Sequence, residues 1–132
     1  MLNLEIVTPE KKVFDEAVDG VTIPTTNGEI GVLPNHAPLI STLKPGILTI
    51  SNRGASERLA IAGGFVEVSA NKVSILADTA ERAEEVNIEV ARAERESAER
   101  ILGAWSGTEE AFEIEKERLE KAQARLSLAS GK

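Results

Sequence analysis

Residues 27–39 read Asn-Gly-Glu-Ile-Gly-Val-Leu-Pro-Asn-His-Ala-Pro-Leu. Gly28 and Gly31 permit positive φ, while Pro34 and Pro38 fix φ and remove backbone donors. Asn27-Gly28 is a turn dipeptide, so the chain is expected to reverse just before Glu29. Between these breakers sit Ile30, Val32, Leu33 and Leu39, more apolar surface than a loop normally carries. The stretch therefore reads as a loop whose apolar side chains either seal one edge of a core or face a partner. His36, the only histidine, lies in its middle.

Working outward, the first eighty residues are short apolar runs separated by turn signals. Leu2, Leu4 and Ile6 alternate with Asn3 and Glu5, a half-buried strand stopping at Pro9. Val13-Phe14 predicts a second short strand. Ala17 to Thr25 predicts a third, ending at Pro24. Beyond the opening stretch, Leu39-Ile40 starts another extended piece, and Pro45-Gly46 turns into Ile47-Leu48-Thr49-Ile50. Asn52-Arg53-Gly54-Ala55 turns back into Arg58-Leu59-Ala60-Ile61. Gly63-Gly64 interrupts before Phe65-Val66-Glu67-Val68 and reads as a bulge or tight corner. Ala70-Asn71 turns into Val73-Ser74-Ile75-Leu76-Ala77. About eight to ten short strands at this spacing predict an all-β sandwich or flattened barrel.

After Asp78 the pattern changes. Residues 81–132 contain no proline and are dominated by Ala, Glu, Arg and Lys. Acids and bases are interleaved, as on solvated helix faces. The one strong break is Gly103-Ala104-Trp105-Ser106-Gly107. Ser106 followed by Glu109 fits a capping box, and Thr108 is a competing N-cap. Two helices are predicted, over about 88–103 and 108–129, forming a C-terminal antiparallel two-helix hairpin. The expected division is a β-domain over residues 1–84 and a helical hairpin over 85–132.

The helices are weakly apolar. The first offers Ile88, Ala91, Ala98, Ile101, Leu102 and Trp105. The second offers Phe112, Leu119 and Leu126 at seven-residue spacing, with Ala122 and Ala129 alongside. A buried Leu or Phe contributes about 1.5–3 kcal/mol and an alanine far less, whereas ordering costs on the order of 1 kcal/mol or more per residue. A hairpin with so narrow a seam is expected to be marginal alone and able to leave its docking position.

Composition narrows the function classes. At 132 residues the chain has room for one good core or two small ones. Aromatics are 3% of the residues, so the core must be built from Val, Ile, Leu and Ala. The absence of cysteine removes disulfides and thiol chemistry, and a single histidine leaves no zinc ligand set. A net charge of −7 argues against nucleic acid as partner. No apolar run approaches the roughly 18 residues of a membrane span, and the N-terminus does not read as a signal peptide. The compartment expected from these features is cytoplasmic.

Enzyme constellations are missing. Lys44 and Lys72 lack the glycines of a phosphate-cradling loop, and no serine sits in a Gly-x-Ser-x-Gly elbow. His36 lies between Asn35 and Ala37, with no acid nearby in sequence to orient it as a base. It reads either as a packing histidine hydrogen-bonded to backbone or as an interface residue. No catalytic residue is assigned.

Taken in order, Gly28 to Leu39, Leu43-Lys44-Pro45-Gly46, Ala62-Gly63-Gly64-Phe65-Val66-Glu67-Val68 and Ile75-Leu76-Ala77-Asp78-Thr79-Ala80 resemble the ε-subunit of bacterial and chloroplast F-type ATP synthases. The resemblance covers the β-domain, the two-helix tail and the length. It implies a non-catalytic rotor subunit of the proton-translocating complex, peripheral at the cytoplasmic face of the cell membrane. The sandwich would bind the γ-subunit and rest on the ring of membrane c-subunits. Glu29, Ile30 and Gly31 would form a loop tip meeting the c-ring; His36, Ala37, Leu39 and Thr42 would face γ. The resemblance also implies a mobile hairpin that suppresses ATP hydrolysis when extended. Arg118, Lys121 and Arg125 are its candidates for transient contact with the catalytic α and β subunits; a solvated helix face is the plainer reading of all three.

Some members of that family bind regulatory ATP through Ile/Leu-Asp-x-x-Arg-Ala at the start of the first helix. The matching run here is Ile88-Glu89-Val90-Ala91-Arg92-Ala93, with Glu89 in place of aspartate. The extra methylene displaces the carboxylate by more than a hydrogen bond tolerates without readjustment. No cofactor is required by the reading; ATP is an optional ligand. A different class of protein, a free-standing β-sandwich binding module with a helical tail, would need exposed aromatic platforms, for which three Phe and one Trp offer little.

Overall fold

A computed structural model describes residues 1–131. Its strands are β1 (Leu2–Val7), β2 (Lys12–Val18), β3 (Gly20–Thr25), β4 (Gly28–Val32), β5 (His36–Thr42), β6 (Gly46–Asn52), β7 (Ala55–Ala62), β8 (Phe65–Ala70), β9 (Lys72–Leu76) and β10 (Thr79–Glu81). A single 3-10 turn, Ala83–Glu85, leads into α1 (Ile88–Gly103) and α2 (Glu109–Ala129). The strands form two five-stranded sheets, ordered β2-β1-β9-β8-β5 and β10-β7-β6-β3-β4. The expected all-β sandwich followed by a helical pair is therefore the observed architecture.

Alternation builds the sandwich. Leu2, Leu4 and Ile6 of β1, Val66 and Val68 of β8, and Val73 and Ile75 of β9 point inward from the first sheet. Val21, Ile23, Val32, Leu48, Ile50, Leu59 and Ile61 meet them from the second. Each successive residue lies on the opposite face, so one strand serves both core and surface. Pairing is antiparallel except between β1 and β9, which run parallel with Ile6 opposite Ile75.

The segment read as one strand from Ala17 to Thr25 is two. The chain leaves the first sheet at Asp19 and enters the second at Gly20. Asp19 N–H donates to the Ser51 carbonyl (2.9 Å), and its carboxylate accepts from Arg53 N–H (2.7 Å). Pro24 does not end β3. It lies beyond Gly20–Thr22, the part of β3 that pairs with β6, so its missing donor breaks no ladder bond.

Residues 27–39 are likewise not a loop. They form β4, a short turn at 33–35 and the start of β5. Three of the four breakers fall at the joints, while Gly31 lies within β4 opposite Thr22. Gly28 (φ 104°) closes the β3–β4 turn, Pro34 lies in the connection, and Pro38 sits where the β5–β8 register slips between His36 and Leu39. A proline on a bulged edge strand costs no hydrogen bond. Gly63-Gly64 makes the expected tight corner, with φ of 72° and 92°.

The second sheet is covered on both faces. Leu59 and Ile61 point into the sandwich, whereas Ala60 packs against Ala124 and Leu128 of α2, with Ile47 and Val86 beside them. Small side chains on the outer face of β7 let the helix approach. Asn87 caps α1 by accepting from Val90 N–H (3.1 Å). Thr108, not Ser106, caps α2, accepting from Ala111 N–H (3.2 Å). Gly107 lies outside the helix, where an added methyl would press on the Trp105 ring. Trp105 meets Phe112 edge-on at 5.6 Å and closes the interhelical turn.

Candidate functional site

Glu29, Ile30 and Gly31 lie within β4, an edge strand of the second sheet, rather than in a loop tip. They pair with Pro24, Ile23 and Thr22. Ile30 leans on the core; Glu29 and Gly31 are exposed. The tip itself is Thr26-Asn27. Thr25 clips this turn, its hydroxyl donating to the Gly28 carbonyl (2.6 Å) and accepting from Asn27 N–H (3.2 Å). Thr26 N–H and Lys44 N–H bind the carbonyls of Thr42 and Pro24, tying the turn to the far end of β5 (3.0 Å each). The result is a short, braced hairpin presenting Glu29 on an open strand edge.

His36, Ala37, Leu39 and Thr42 all fall on β5, the edge strand of the first sheet. His36 is half-buried, and its Nδ1 lies 2.7 Å from the Ala37 carbonyl oxygen. A carbonyl only accepts, so this contact needs the proton on Nδ1. Leu39 turns inward, opposite Val68, and packs on the core. Its neighbour Ile40 is the residue that projects, 69% exposed. The bulge before Leu39 sets this phase: Leu39 goes to the core and Ile40 to solvent.

Ile40 does not stand alone. Thr42, Phe65, Leu76 and Val7 are opposed in turn across β5, β8, β9 and β1. Phe65 and Leu76 are each 45% exposed. Ile40, Phe65 and Leu76 thus form an apolar strip on the outer face of the first sheet, bordered by Glu67 and Thr42. Sequence reading did not single out these three, although the signal was present. Once Val66 and Val68 are inward, Phe65 must be outward; Val73 and Ile75 force Leu76 outward in the same way. Exposed apolar side chains side by side on a sheet face are a candidate interaction surface.

The three candidate contact residues of α2, Arg118, Lys121 and Arg125, do not act alike. Arg118 bridges the two helices, donating to Glu94 (2.6 Å), Glu115 (2.9 Å) and Ser97 Oγ (3.0 Å). Glu115 foremost, then Glu94, hold its guanidinium protonated even more firmly than an ordinary arginine. Arg125 reaches the sandwich through two donors to Glu81, Nε to Oε1 (2.6 Å) and Nη2 to Oε2 (3.3 Å). Lys121 lines the cavity of about 370 Å3 between α2 and β10, together with Lys11, Glu85 and Arg125. In this docked arrangement Arg118 and Arg125 are bound within the chain, which replaces the reading of a uniformly solvated basic face. In the same region Arg82 N–H donates to Glu85 (2.9 Å), which holds the Glu85 carboxyl below the usual range, with Lys11 adding to the effect.

The candidate nucleotide residues open α1. Ile88 and Arg92 line a groove between the helices, with Arg95, Gln123 and Ser127. Glu89 and Ala93 are exposed and are not part of its lining. Among the described residues there is no group of His, Cys, Asp or Glu arranged to hold a metal ion. No described helix is long and apolar enough to cross a membrane.

Residues 1–83 match the family model described as ATP synthase, Delta/Epsilon chain, beta-sandwich domain. The chain is 52% identical to the ATP synthase epsilon chain of Pelotomaculum thermopropionicum over 99 residues, covering 75% of this chain and 74% of the relative. It is 40% identical to that of Geotalea uraniireducens over 129 residues, covering 98% and 94%. A chain of the Euglena gracilis mitochondrial ATP synthase OSCP/F1/c-ring structure superposes with a TM-score of 0.80 at 28% identity, covering 98% of this chain and 81% of its own. A chain of the Tetrahymena thermophila mitochondrial ATP synthase central stalk/c-ring shares the fold, with a TM-score of 0.70 at 20% identity, covering 97% of this chain and 96% of its own. The β-sandwich match over most of the chain, together with relatives aligned through the helices, makes this protein a member of the ATP synthase delta/epsilon chain family.

Proposed function

We propose that the chain is a central-stalk subunit of the rotary ATP synthase, coupling rotation between the c-ring and the γ-subunit and carrying out no catalysis itself. The observation that carries the reading is the exposed apolar strip Ile40–Phe65–Leu76 on the outer face of the first sheet. It offers a partner a ready dry surface, and His36, Ala37 and Thr42 extend it along β5. We assign this face to γ and the β4 edge with Glu29 to the c-ring. The braced β3–β4 hairpin suits a contact that must transmit torque without bending. The subunit then works at the cytoplasmic face of the membrane, peripheral and without insertion.

The hairpin is assigned a regulatory role, docked on the second sheet or extended toward the catalytic α and β subunits. Nucleotide binding at the start of α1 is a secondary proposal, favoured by Ile88, Arg92 and Arg95 lining one groove with Glu99; Glu89 and Ala93 lie outside that lining. Isothermal titration of the full chain with ATP tests it; no heat at millimolar nucleotide would remove it.

Co-expression with the γ-subunit tests the main reading. The unaltered chain should co-purify with γ, and Ile40→Glu should abolish the complex while the sandwich still unfolds cooperatively at an unchanged midpoint. Retention of γ by Ile40→Glu would remove this face as the contact.

A further inference from the structure

α2 rests on the sandwich through little apolar surface. Ala124 and Leu128 sit on Ala60, with Ile47 and Val86 at the margin, and Leu128 is the one large side chain of α2 buried there. Two ion pairs flank this contact. Lys44 Nζ, just before β6, lies 3.1 Å from Glu120 Oε2. At the other end Arg125 holds Glu81 of β10 through two donors. The Arg125 and Glu81 side chains are 15% and 24% exposed, so the pair is partly withdrawn from water and less screened than a surface pair.

The two pairs have opposite polarity. At one end the sandwich supplies the cation and the helix the anion; at the other the sandwich supplies the anion and the helix the cation. A helix that slid or reversed on this face would bring like charges together, which is penalised. Apolar contact through alanines and one leucine carries little register information by comparison. Arg118, in contrast, binds only groups of α1 and α2, so it holds the hairpin together without holding it to the sandwich.

We propose that Arg125–Glu81 and Lys44–Glu120 form an antisymmetric charge latch that fixes where α2 docks and makes release of the intact hairpin dependent on ionic strength. This deepens the regulatory role assigned above and rests on the hairpin being able to leave its dock, but it concerns the isolated chain. Its failure is therefore separable from failure of the rotor assignment.

The chain contains no cysteine, so Ser56→Cys and Ala111→Cys, both at exposed positions, allow a donor and acceptor dye to be placed cleanly on sandwich and hairpin. Energy transfer in the full-length protein should fall as salt rises from about 0.05 M to about 1 M, where the Debye length shrinks to about 3 Å. Arg125→Gln and Glu81→Gln should each raise the undocked fraction about fivefold at low salt, with helical circular dichroism unchanged. The exchanged pair Glu81→Arg with Arg125→Glu should recover docking that Arg125→Glu alone loses. Arg118→Gln should lower helicity instead of releasing an intact hairpin. Salt-independent transfer with docked Arg125→Gln and Glu81→Gln proteins would overturn the proposal. So would loss of helicity in those two variants equal to that in Arg118→Gln.

Discussion

The backbone of Gly64 passes directly over the carbonyl of Leu76, leaving no room for a Cβ. Gly64 also adopts φ 92°, and its own carbonyl accepts from Leu43 N–H (2.9 Å). Corner, β9 end and the 43–44 link are thus packed together at one point. Gly64→Ala should destabilise the sandwich by about 3 kcal/mol or more, since steric overlap and an unfavourable φ act together. Gly31→Ala, where an added methyl meets nothing within 4 Å, is the matched control and should cost little. Urea unfolding midpoints of the two variants check the contrast.

Neighbouring residues of β7 serve different layers, which separates folding from docking. Leu59→Ala should cost about 2–5 kcal/mol, because it opens a cavity in the sandwich core. Ala60→Leu should leave that core intact and overpack the seat of Ala124 and Leu128 by about 1–3 kcal/mol. Hydrogen exchange should then quicken along α2 and remain slow in β1 and β8 amides.

The outer strip gives a functional contrast within one strand. Phe65→Ser should weaken binding of γ more than tenfold with little change in unfolding midpoint. Val66→Ser, one residue on and wholly buried, should unfold the sandwich. Pull-down with γ alongside thermal unfolding distinguishes the two effects.

Acid should loosen the junction between sandwich and hairpin before it unfolds the strands. The Glu85 carboxyl is held below its ordinary value by Arg82 N–H and Lys11, so its folded-state pKa lies under the unfolded one. Such a group contributes stability that is present above the unfolded value, about 4.3, and is lost as pH falls through the folded value. Glu85→Gln should remove this part of the acid sensitivity. Amide chemical shifts of Arg82 and Glu85 titrated downward from pH 5 would register it.

Thr108 is the cap of the longer helix. Thr108→Ala should cost about 1 kcal/mol of hairpin stability, and Ser106→Ala close to nothing. Thermal circular dichroism at 222 nm measures both.

Much of this fold was legible because strand alternation and turn chemistry agreed. Leu2-Asn3-Leu4-Glu5-Ile6 reads the same way on paper and in space, as do Arg53-Gly54 and Gly63-Gly64. The stretch 27–39 misled for a physical reason. Four breakers close together suggest a loop, yet an edge strand tolerates Gly28, Pro34 and Pro38 at its ends and at a bulge, and Gly31 within β4 keeps its backbone N–H. The candidate contact face was only half legible. His36, Ala37, Leu39 and Thr42 were implied by the family resemblance, whereas Ile40, Phe65 and Leu76 become a surface only when β5, β8 and β9 are laid side by side.

The linear chain determined by itself the two structural grammars, the absence of cysteine and of sequence-local catalytic motifs, and the family, because these depend on local periodicity and on which residue types are present. Three features depend on packing between distant segments: the phase of β5 after its bulge, the covering of β7 on both faces, and the partners of Arg118 and Arg125. Glu81 is 44 residues from Arg125, and Glu94 is 24 from Arg118. No local rule pairs charges over such distances. Which carboxylate each arginine meets is set by the packing of α2 on α1 and on the second sheet, through small side chains that permit close approach and specify little else.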